Sequence, residues 1–396
     1  MISKKLRKKD NIVFHQRMEI LKGRLADAAV VAALITDDDS VYYFSGFYDY
    51  LHMEFGRPTV LVVAVEGDPV LITPLMELEM ASRMCWIRDV RPWLDGQGSE
   101  WRGELQQVIA EVGSAHIGIE TGAISSLVQT VVQHAVNDEK LVDITPIIAT
   151  IRMIKGNEEL QLARHAGQVA TAMMTAGRDT IGEGVPEFEV ALATAEAGAR
   201  TAANLLAMYY TDTCMSPNTH FLQIMASGPD ITMPHRRPTL RRIARGDPVF
   251  LCFCGMTNFH RFKLGFDRTF WVGEILDQRQ AEIYRLAVES QQAALNHVQP
   301  GVLAEDIHAA YAEVIQNAGY DYPFRCGRAT GFSFLEQPQL VAGDRTPLQS
   351  GMVLAVDGSV SVAGFFRAQV GDSILVTEEG YELITKFPKS LDDVVV

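Results

Sequence analysis

The feature that most constrains the fold of this 396-residue chain is an internal echo between its middle and its C-terminal part. The string Gly184-Val-Pro-Glu-Phe-Glu-Val-Ala shares its order of glycine, valine, acid and branched apolar residue with Gly301-Val-Leu-Ala-Glu-Asp-Ile-His. Each string starts the second helix of a predicted helix pair, and each pair precedes strand-rich sequence. The echo predicts two halves related by a pseudo-two-fold axis, with a ligand cleft where they meet. Chance similarity between two helix starts would give the same echo.

The part of the chain from residue 151 onward contains four predicted helices. Asn157 is a good N-cap for the first, and the second runs over 186–206 with a proline in its first turn. Asp277 and Gln280 resemble the capping box of a third helix, and the fourth covers 304–318. Strands are predicted over 221–226, 248–253, 267–272, 352–356 and 372–376.

The first 150 residues alternate between sequence patterns typical of helices and patterns typical of strands. A helix is predicted over 13–26, a buried strand over 28–35, a second helix over 104–112 and another strand over 116–120. The strands over 59–65 and 70–73 are separated by Glu66-Gly67-Asp68, which is typical of a hairpin. This predicts an α/β domain over 1–150, followed by a second domain over 151–396.

Charge and composition narrow the class of function. The net charge of −14 disfavours nucleic acid as a partner, because an acidic surface repels phosphate. The apolar run over 28–35 is far shorter than the roughly 20 residues that a membrane span needs, and no signal segment is recognisable, so we expect a cytoplasmic protein. Five scattered cysteines argue against a disulfide framework, and we expect no zinc site at Cys252-Phe-Cys254.

Three strings carry residues suited to chemistry. The first, Ser227-Gly-Pro-Asp-Ile-Thr-Met-Pro-His-Arg-Arg-Pro238, delivers a single histidine, His235, into a loop framed by prolines. Histidine both takes and gives a proton near neutral pH, although most lone loop histidines have no such role. The other two strings are rich in apolar residues and contain one carboxylate each, Asp267 and Asp357. A carboxylate in such a place is costly unless it is paired or faces a cleft, and a solvated strand end is the alternative.

Over residues 152–388 these motifs resemble the creatinase and aminopeptidase superfamily, whose catalytic domain has the pita-bread fold. The strings that carry the resemblance include Arg152-Met-Ile-Lys-Gly, the His235 loop, Arg245-Gly-Asp247, Gly351-Met-Val353, Val376-Thr-Glu-Glu-Gly380 and Ile384-Thr-Lys-Phe-Pro388. Tyr43-Phe-Ser-Gly46 resembles the N-terminal domain of the same group. The resemblance implies an α/β N-terminal domain and an α+β pita-bread catalytic domain with a pseudo-two-fold repeat.

Metal-binding members of this family use two aspartates, one histidine and two glutamates as ligands. The matching positions here are Cys252, Gly265 (or Asp267, if the hairpin holds two extra residues), Leu335, Asp357 and Gly371. Leucine and glycine offer no ligating side chain, so we expect neither a catalytic metal nor another cofactor. The alternative is a metal held by a regrouped set of Asp267, Glu336, Asp357 and Cys252.

The resemblance to creatinase, which works without metal, implies roles for several residues. His235 matches the proton shuttle, and Asp267 and Asp357 match the two carboxylates that hold a guanidinium. Arg261 and Arg328 are candidates to receive a substrate carboxylate, and Glu336 is a further substrate-binding candidate. Creatinase-like proteins form homodimers in which one N-terminal domain covers the partner's cleft, and the candidate residues for that cover are Tyr48, Tyr50, His52, Glu54 and Arg57.

The function we expect is hydrolysis of a C–N bond in a small zwitterion carrying a guanidino, amidine or amino group, without metal. Two enzymatic alternatives use rearranged metal ligands: a hydrolase of the proline-dipeptidase type, or a dimethylsulfoniopropionate lyase. A third alternative is a pita-bread protein that binds a partner in its cleft and catalyses nothing, and retention of His235 counts against it.

Overall fold

The computed structural model of the protein describes residues 2–48, 56–113, 115–217, 224–254, 259–333 and 335–396. The chain divides into two units, Met1–Ile151 with Thr211–Cys214, and Arg152–Tyr210 with Met215–Val396. Among the described residues, no helix is both long enough and apolar enough to cross a membrane.

The first unit is built on a mixed sheet of six strands in the order β4-β3-β2-β1-β5-β6. Strand β1 pairs antiparallel with β2 and parallel with β5, and all four of its side chains are buried. The strands are β1 (Ala32–Ile35), β2 (Val60–Ala64), β3 (Val70–Pro74), β4 (Asp89–Trp93), β5 (Ile117–Ile119) and β6 (Leu141–Asp143). The helices are α1 (Ile2–Asp27), α2 (Asp38–Ser45), α3 (Leu78–Met84), α4 (Trp101–Val112), α5 (Ser126–Ala135) and α6 (Thr145–Met153).

The α/β class predicted for this unit is confirmed, with shifted element bounds. The strand predicted over 28–35 begins only at Ala32, because Ala29 has a positive φ of 57° in the turn that follows α1. The hairpin predicted at Glu66-Gly67-Asp68 joins β2 to β3.

The second unit is an antiparallel sheet with four long helices. The sheet order is β11-β10-β12-β13-β9-β8-β7, and β14 pairs with β13. Its helices are α7 (Asn157–Thr180), α8 (Glu187–Tyr209), α9 (Gln278–Asn296) and α10 (Ala304–Asn317). Its strands are β7 (Ile224–Ser227), β8 (Pro248–Cys252), β9 (Asp267–Trp271), β10 (Gly327–Ala329), β11 (Glu336–Leu340), β12 (Val353–Val362), β13 (Phe366–Val376) and β14 (Tyr381–Leu383).

The pseudo-two-fold repeat of this unit is visible in the element order. Helices α7 and α8 precede β7, β8 and β9, and helices α9 and α10 precede β10 to β13. The two halves join where β9 pairs with β13. The α+β pita-bread domain expected from the resemblance is therefore confirmed.

The predicted cap at Asp277 is confirmed, whereas the predicted capping box with Gln280 and the predicted cap at Asn157 are wrong. The Asp277 side chain accepts a hydrogen bond of 2.8 Å from the backbone N–H of Arg279, as its predicted role requires. Gln280 does not close a capping box, because its Oε1 accepts from Trp271 Nε1 at 3.0 Å. The cap of α7 is Gly156 rather than Asn157, and Glu159 accepts from the Gly156 N–H at 2.7 Å.

An ion pair fixes the junction of β9 and β13 on one sheet face. Arg268 Nη2 donates to Asp372 Oδ1 at 2.7 Å, and neither side chain is exposed to solvent. Burial acts to raise the pKa of Asp372, but Arg268 and Lys389 outweigh it and the pKa lies below its ordinary value. Because alternate residues of a strand face opposite sides, Asp267 and Gly371 point to the other face.

Candidate active site

Four neighbouring strands place one row of residues side by side on that face. Cys252 of β8 lies opposite Asp267 of β9, Asp267 lies opposite Gly371 of β13, and Gly371 lies opposite Asp357 of β12. Residues directly opposite each other on paired strands have adjacent side chains. The row therefore brings together the two carboxylates that the sequence singles out.

The centre of this row is a notch over Gly371, where a side chain is missing. A Cβ at position 371 would lie 2.5 Å from Asp357 Oδ1 and 2.8 Å from both carboxylate oxygens of Asp267. Real Cβ atoms do not approach oxygen so closely, so both carboxylates use the space that a side chain would fill. In this notch the Asp267 and Asp357 carboxylates come together over the backbone of Gly371.

Asp267 is fully buried in the wall on the β9 side. Its Oδ2 accepts from Cys254 Sγ at 3.3 Å and from Gln369 Nε2 at 3.0 Å. Its Oδ1 is buried and has no hydrogen-bond partner among the described residues. Burial, reinforced by Cys254 and Asp357, raises the pKa of Asp267 well above its ordinary value.

Asp357 forms the opposite wall and is half-buried. Arg328, itself buried, places Nη1 3.8 Å from Asp357 Oδ2, while Asp357 Oδ1 has no hydrogen-bond partner in the described part of the chain. Burial raises the pKa of Asp357, and the neighbouring arginines oppose but do not cancel that effect. Each wall thus presents one carboxylate oxygen that the described residues leave unsatisfied, which is a common sign of a ligand site.

Two residues of the site were missed by the sequence analysis, Gln369 and Arg367. Gln369 donates to Asp267, and its Oε1 accepts a hydrogen bond from Arg367 Nη2. The Arg367 guanidinium lies over the Phe250 ring, 4.7 Å from its centroid. The signal was available in the alternation of β13, because residues 367, 369 and 371 share one face.

His235 lies on an exposed turn after a 3-10 helix, Gly228–Thr232. That helix packs against β7, β8 and β13, the last of which carries Gly371. Within the described residues, no hydrogen bond or ion pair joins His235 to Asp267 or Asp357. The structure brings the two carboxylates together and leaves His235 in an exposed turn.

The His235 loop is fixed at both ends by one buried carboxylate, Glu187 of α8. Ser227 Oγ donates to Glu187 Oε1 at 2.6 Å, and Arg236 Nη1 donates to Oε2 at 2.7 Å. The N–H of Thr239 also donates to Oε2, at 2.9 Å. Glu187 therefore holds the segments that precede and follow the histidine.

The predicted substrate-binding residue Arg261 lies in a strained turn. His260 and Arg261 have φ values of 53° and 66°, and the flanking residues Phe259 and Phe262 pair with each other. Such two-residue turns favour asparagine and glycine, since they need positive φ at both positions. A substrate role for Arg261 stays a prediction.

Glu336, the other acidic candidate, is occupied within the fold. Lys155 Nζ donates to its Oε2 at 2.6 Å, and the Ser333 N–H donates to its Oε1 at 3.0 Å. Both side chains of the ion pair are almost fully buried. We therefore do not carry Glu336 forward as a substrate-binding residue.

The predicted lid residues fall partly outside the described residues, as Tyr50, His52 and Glu54 do. Tyr48 packs edge-on against Tyr42, with ring centroids 6.1 Å apart, and Arg57 forms an ion pair with Asp95. Both contacts lie within the first unit, and a role over a partner's cleft stays a prediction.

The residues at the family's metal positions do not fit a dinuclear metal site. Leu335 is 56% exposed and has no donor atom. A Cβ at Gly265 would lie 2.5 Å from the Ala355 Cβ, so no aspartate fits there without a backbone shift. At position 371 the Cβ of any larger residue would collide with the Asp267 and Asp357 carboxylates. Of the five positions only Asp357 retains a carboxylate, with Asp267 as a displaced second one.

A different cluster in the site does contain metal-ligating atoms, and it joins the cysteine pair, where we expected no zinc, to Asp267 of the alternative ligand set. The ligating atoms of Cys252, Cys254 and Asp267 lie within 4.8 Å of one another. Arg328 and Arg367 both interact electrostatically with the two cysteines. Two buried guanidinium groups thus already supply positive charge there, and they oppose the entry of a metal cation.

Comparison with known proteins places the chain in a family. Residues 17–154 match the creatinase/prolidase N-terminal domain, and residues 161–378 match metallopeptidase family M24. The agropine synthesis cyclase of Rhizobium rhizogenes is 29% identical over 391 residues, which cover 95% of this chain and 96% of that protein. The Xaa-Pro dipeptidase of Pyrococcus furiosus is 26% identical over 95% of this chain and 99% of its own length.

The fold agrees with that of solved structures. The Xaa-Pro dipeptidase from Bacillus anthracis has a TM-score of 0.81 at 23% identity, covering 97% of this chain and all of that one. The match to the M24 family extends over more than half of the sequence, through both halves of the antiparallel sheet and the row of residues around Gly371. The chain is therefore a member of metallopeptidase family M24.

Proposed function

We propose that the protein is a metal-independent hydrolase that cleaves a C–N bond of a small zwitterionic substrate in the notch over Gly371. The observation that carries the proposal is the pair of carboxylates, Asp267 and Asp357, whose unsatisfied oxygens border one space. A cationic guanidino, amidine or amino group would satisfy both oxygens. The two carboxylates would also attract this cation strongly, because charges interact more strongly in a buried setting than in water.

In the proposed hydrolytic step, His235 transfers the proton. The histidine takes a proton from water, and the water oxygen forms a bond to the carbon under attack. The C–N bond then breaks, and His235 gives the proton to the leaving nitrogen, so the histidine ends in its starting form. The 3-10 helix that precedes His235, Gly228–Thr232, packs against β13, the strand that carries Gly371, and this contact supports the assignment.

The lack of suitable ligands at the family's metal positions supports metal independence. Glycine at 265 and 371 and leucine at 335 cannot replace the carboxylate and imidazole ligands of the family. Asp267 and Asp357 are then available to bind the substrate cation.

The experiment that tests the proposal is a screen for release of ammonia or amine from small guanidino, amidino and amino acids, with chelator-treated protein. Turnover should survive chelation. His235→Gln should lower kcat by about 100- to 10,000-fold and leave binding nearly unchanged, since glutamine cannot exchange a proton. His297→Gln, at an exposed histidine on another helix end, is the matched control. Wild-type turnover by His235→Gln, or restoration of chelated protein by one specific ion, would overturn the proposal.

A cyclase is the second candidate, because the match to the agropine synthesis cyclase covers nearly the whole of both chains. In a cyclisation, a nucleophile within the substrate attacks the carbon in place of water and its proton passes to the leaving group, while the same carboxylate pair holds the cation. Reaction in water labelled with a heavy oxygen isotope separates the two. A hydrolase incorporates the label into product, and a cyclase does not.

Peptide hydrolysis is the third candidate, because several relatives and structural neighbours are named Xaa-Pro dipeptidases. It keeps the C–N bond as the target but uses a metal in this family. Assays on Xaa-Pro dipeptides, with and without added manganese or zinc, test it directly. Metal-stimulated dipeptide cleavage would favour this candidate over the first.

A further inference from the structure

The Cys254 thiol is a group at this site that the proposed reaction does not use. Its Sγ donates to Asp267 Oδ2 at 3.3 Å. The backbone N–H of Cys254 donates to Cys252 Sγ at 3.4 Å, which folds the chain back just beyond the end of β8. The thiol therefore reaches Asp267 from outside the row of residues on the four strands.

Two donors converge on the same oxygen of Asp267. Gln369 Nε2 donates to Oδ2 at 3.0 Å, in addition to the thiol of Cys254. Oδ1 receives no hydrogen bond from the described residues, although it borders the space over Gly371. The final torsion of an aspartate side chain is broad and nearly two-fold, so contacts have to decide which oxygen lies where. Here they engage Oδ2 twice and leave Oδ1 for a ligand.

The chemistry of a thiol suits this position. A thiol is a weak donor without charge, whereas lysine or arginine would neutralise Asp267 and compete with a cationic ligand. The hydrogen bond with Cys252 and burial raise the pKa of Cys254 well above its ordinary value, so the thiol keeps the proton that it donates. Arg328, which faces Asp357, also interacts with this sulfur. Cys254 thus contacts Asp267 without adding a positive charge.

We propose that Cys254 is a positioning residue, which orients the Asp267 carboxylate so that Oδ1 meets the substrate cation in the notch over Gly371. This inference rests on the proposed function and adds a residue to it. Cys254 acts through Asp267, and without its hydrogen bond the carboxylate has more freedom to rotate. Ordering of the carboxylate then has to accompany ligand binding, and the cost of that ordering weakens the affinity.

The test measures methylguanidine binding to the full chain by titration calorimetry. Cys254→Ala removes the donor and should weaken binding by about five- to ten-fold, the size of one hydrogen bond. Cys254→Ser keeps a donor at the same position and should bind within about two-fold of the wild type. A role in packing alone predicts the same loss in both variants. If Cys254→Ala does not fold, Cys254→Val, which also has no donor, takes its place.

A double-mutant cycle with Asp267→Asn tests whether Cys254 acts through Asp267. In the Asp267→Asn background, Cys254→Ala should change the remaining affinity by less than about two-fold, because no carboxylate is left to orient. Cys85→Ala is the matched control and should keep the wild-type affinity. Cys85 is half-buried like Cys254, and its sulfur accepts a hydrogen bond from the Ile87 N–H at 3.3 Å, but it belongs to the first unit.

Wild-type affinity in Cys254→Ala, or an equal loss in both Cys254 variants, would overturn the inference. A full loss that persists in the Asp267→Asn background would do so as well, because the effect would then not pass through Asp267. Failure of the proposed function has a different signature, since the wild type itself then does not bind methylguanidine and Asp357→Asn changes nothing. That result overturns the inference too, because it leaves no cation for Asp267 to meet.

Discussion

Gly371 of β13 lies directly opposite Asp267 of β9, and its missing side chain leaves the space that the Asp267 and Asp357 carboxylates share. Glycine inside a strand or helix costs about 0.5–1 kcal/mol relative to alanine. A glycine in the middle of a long, buried strand therefore fits a position where two carboxylates need the space of a side chain.

Gly371→Ala is expected to close the notch and abolish binding of cationic ligands. Its Cβ would lie within 2.8 Å of three carboxylate oxygens, so both aspartates have to move. Methylguanidine binding by calorimetry checks this, with thermal unfolding as a measure of folding. Gly103→Ala is the control, because a Cβ at that helical glycine meets nothing within 4 Å. Normal methylguanidine affinity in Gly371→Ala would contradict the role of the notch.

Asp357→Asn and Asp267→Asn are expected to lose activity while keeping or raising the melting temperature. Burial raises the pKa of both carboxyl groups, so the folded protein holds each charge at a cost that an amide removes. Binding and turnover should both fall in Asp357→Asn, since the substrate cation loses a charged partner. The kcat/KM and Tm of each variant are the measurements. A silent Asp267→Asn beside an inactive Asp357→Asn would show that Asp267 does not anchor the cation.

Glu187→Gln is expected to destabilise the protein by about 3 kcal/mol at pH 7, the range for breaking a buried charge pair. Burial acts to raise the pKa of Glu187, but hydrogen bonds from Ser227, Arg236 and Thr239 outweigh it, and the pKa is lowered. A lowered pKa in the folded state stabilises the protein above the unfolded value of about 4.3, and this stabilisation is lost as the pH falls through the folded value.

The difference in unfolding free energy between wild type and Glu187→Gln should therefore shrink as the pH is lowered toward 4 and below. Urea unfolding over that pH range measures it, and the exposed Glu183→Gln is the control. Because Glu187 fixes the His235 loop, kcat should fall more than KM rises. A pH-independent difference would assign the loss to packing rather than to charge.

We expect the protein to be a homodimer, as creatinase-like proteins are, in which the loop after Gly46 covers the partner's cleft. Light scattering at micromolar concentration tests the dimer, and a monomer alone would contradict it. Mixing inactive His235→Gln subunits with inactive Arg57→Ala subunits tests the cover. Activity regained on mixing requires that the two residues come from different chains.

Much of the architecture was predictable because it depends on local sequence patterns. The cap at Asp277 and the hairpin at Glu66-Gly67-Asp68 depend on neighbouring residues only, and both are present. The cap predicted at Asn157 was wrong by one residue. Gly156, with extended backbone, caps the helix because Glu159 accepts a hydrogen bond from the Gly156 N–H.

The site was less predictable because it depends on register between distant strands. Asp267 and Gly371 are far apart along the chain, and no local pattern specifies that they pair. Arg367 was missed since a lone arginine near a turn is usually exposed. The pairing of Asp357 with Gly371 within one hairpin was the usable clue, because it assigns Arg367 and Gln369 to the same face.

The junction of β9 with β13 has a consequence for how such a site can originate. Asp267 belongs to the first half of the repeat and Asp357 to the second, so each half contributes a single acidic wall. One half alone would present a single carboxylate at an unpaired strand edge. The pair of carboxylates therefore exists only because the two halves pair along this edge, and a change of register there would separate Asp267 from Asp357.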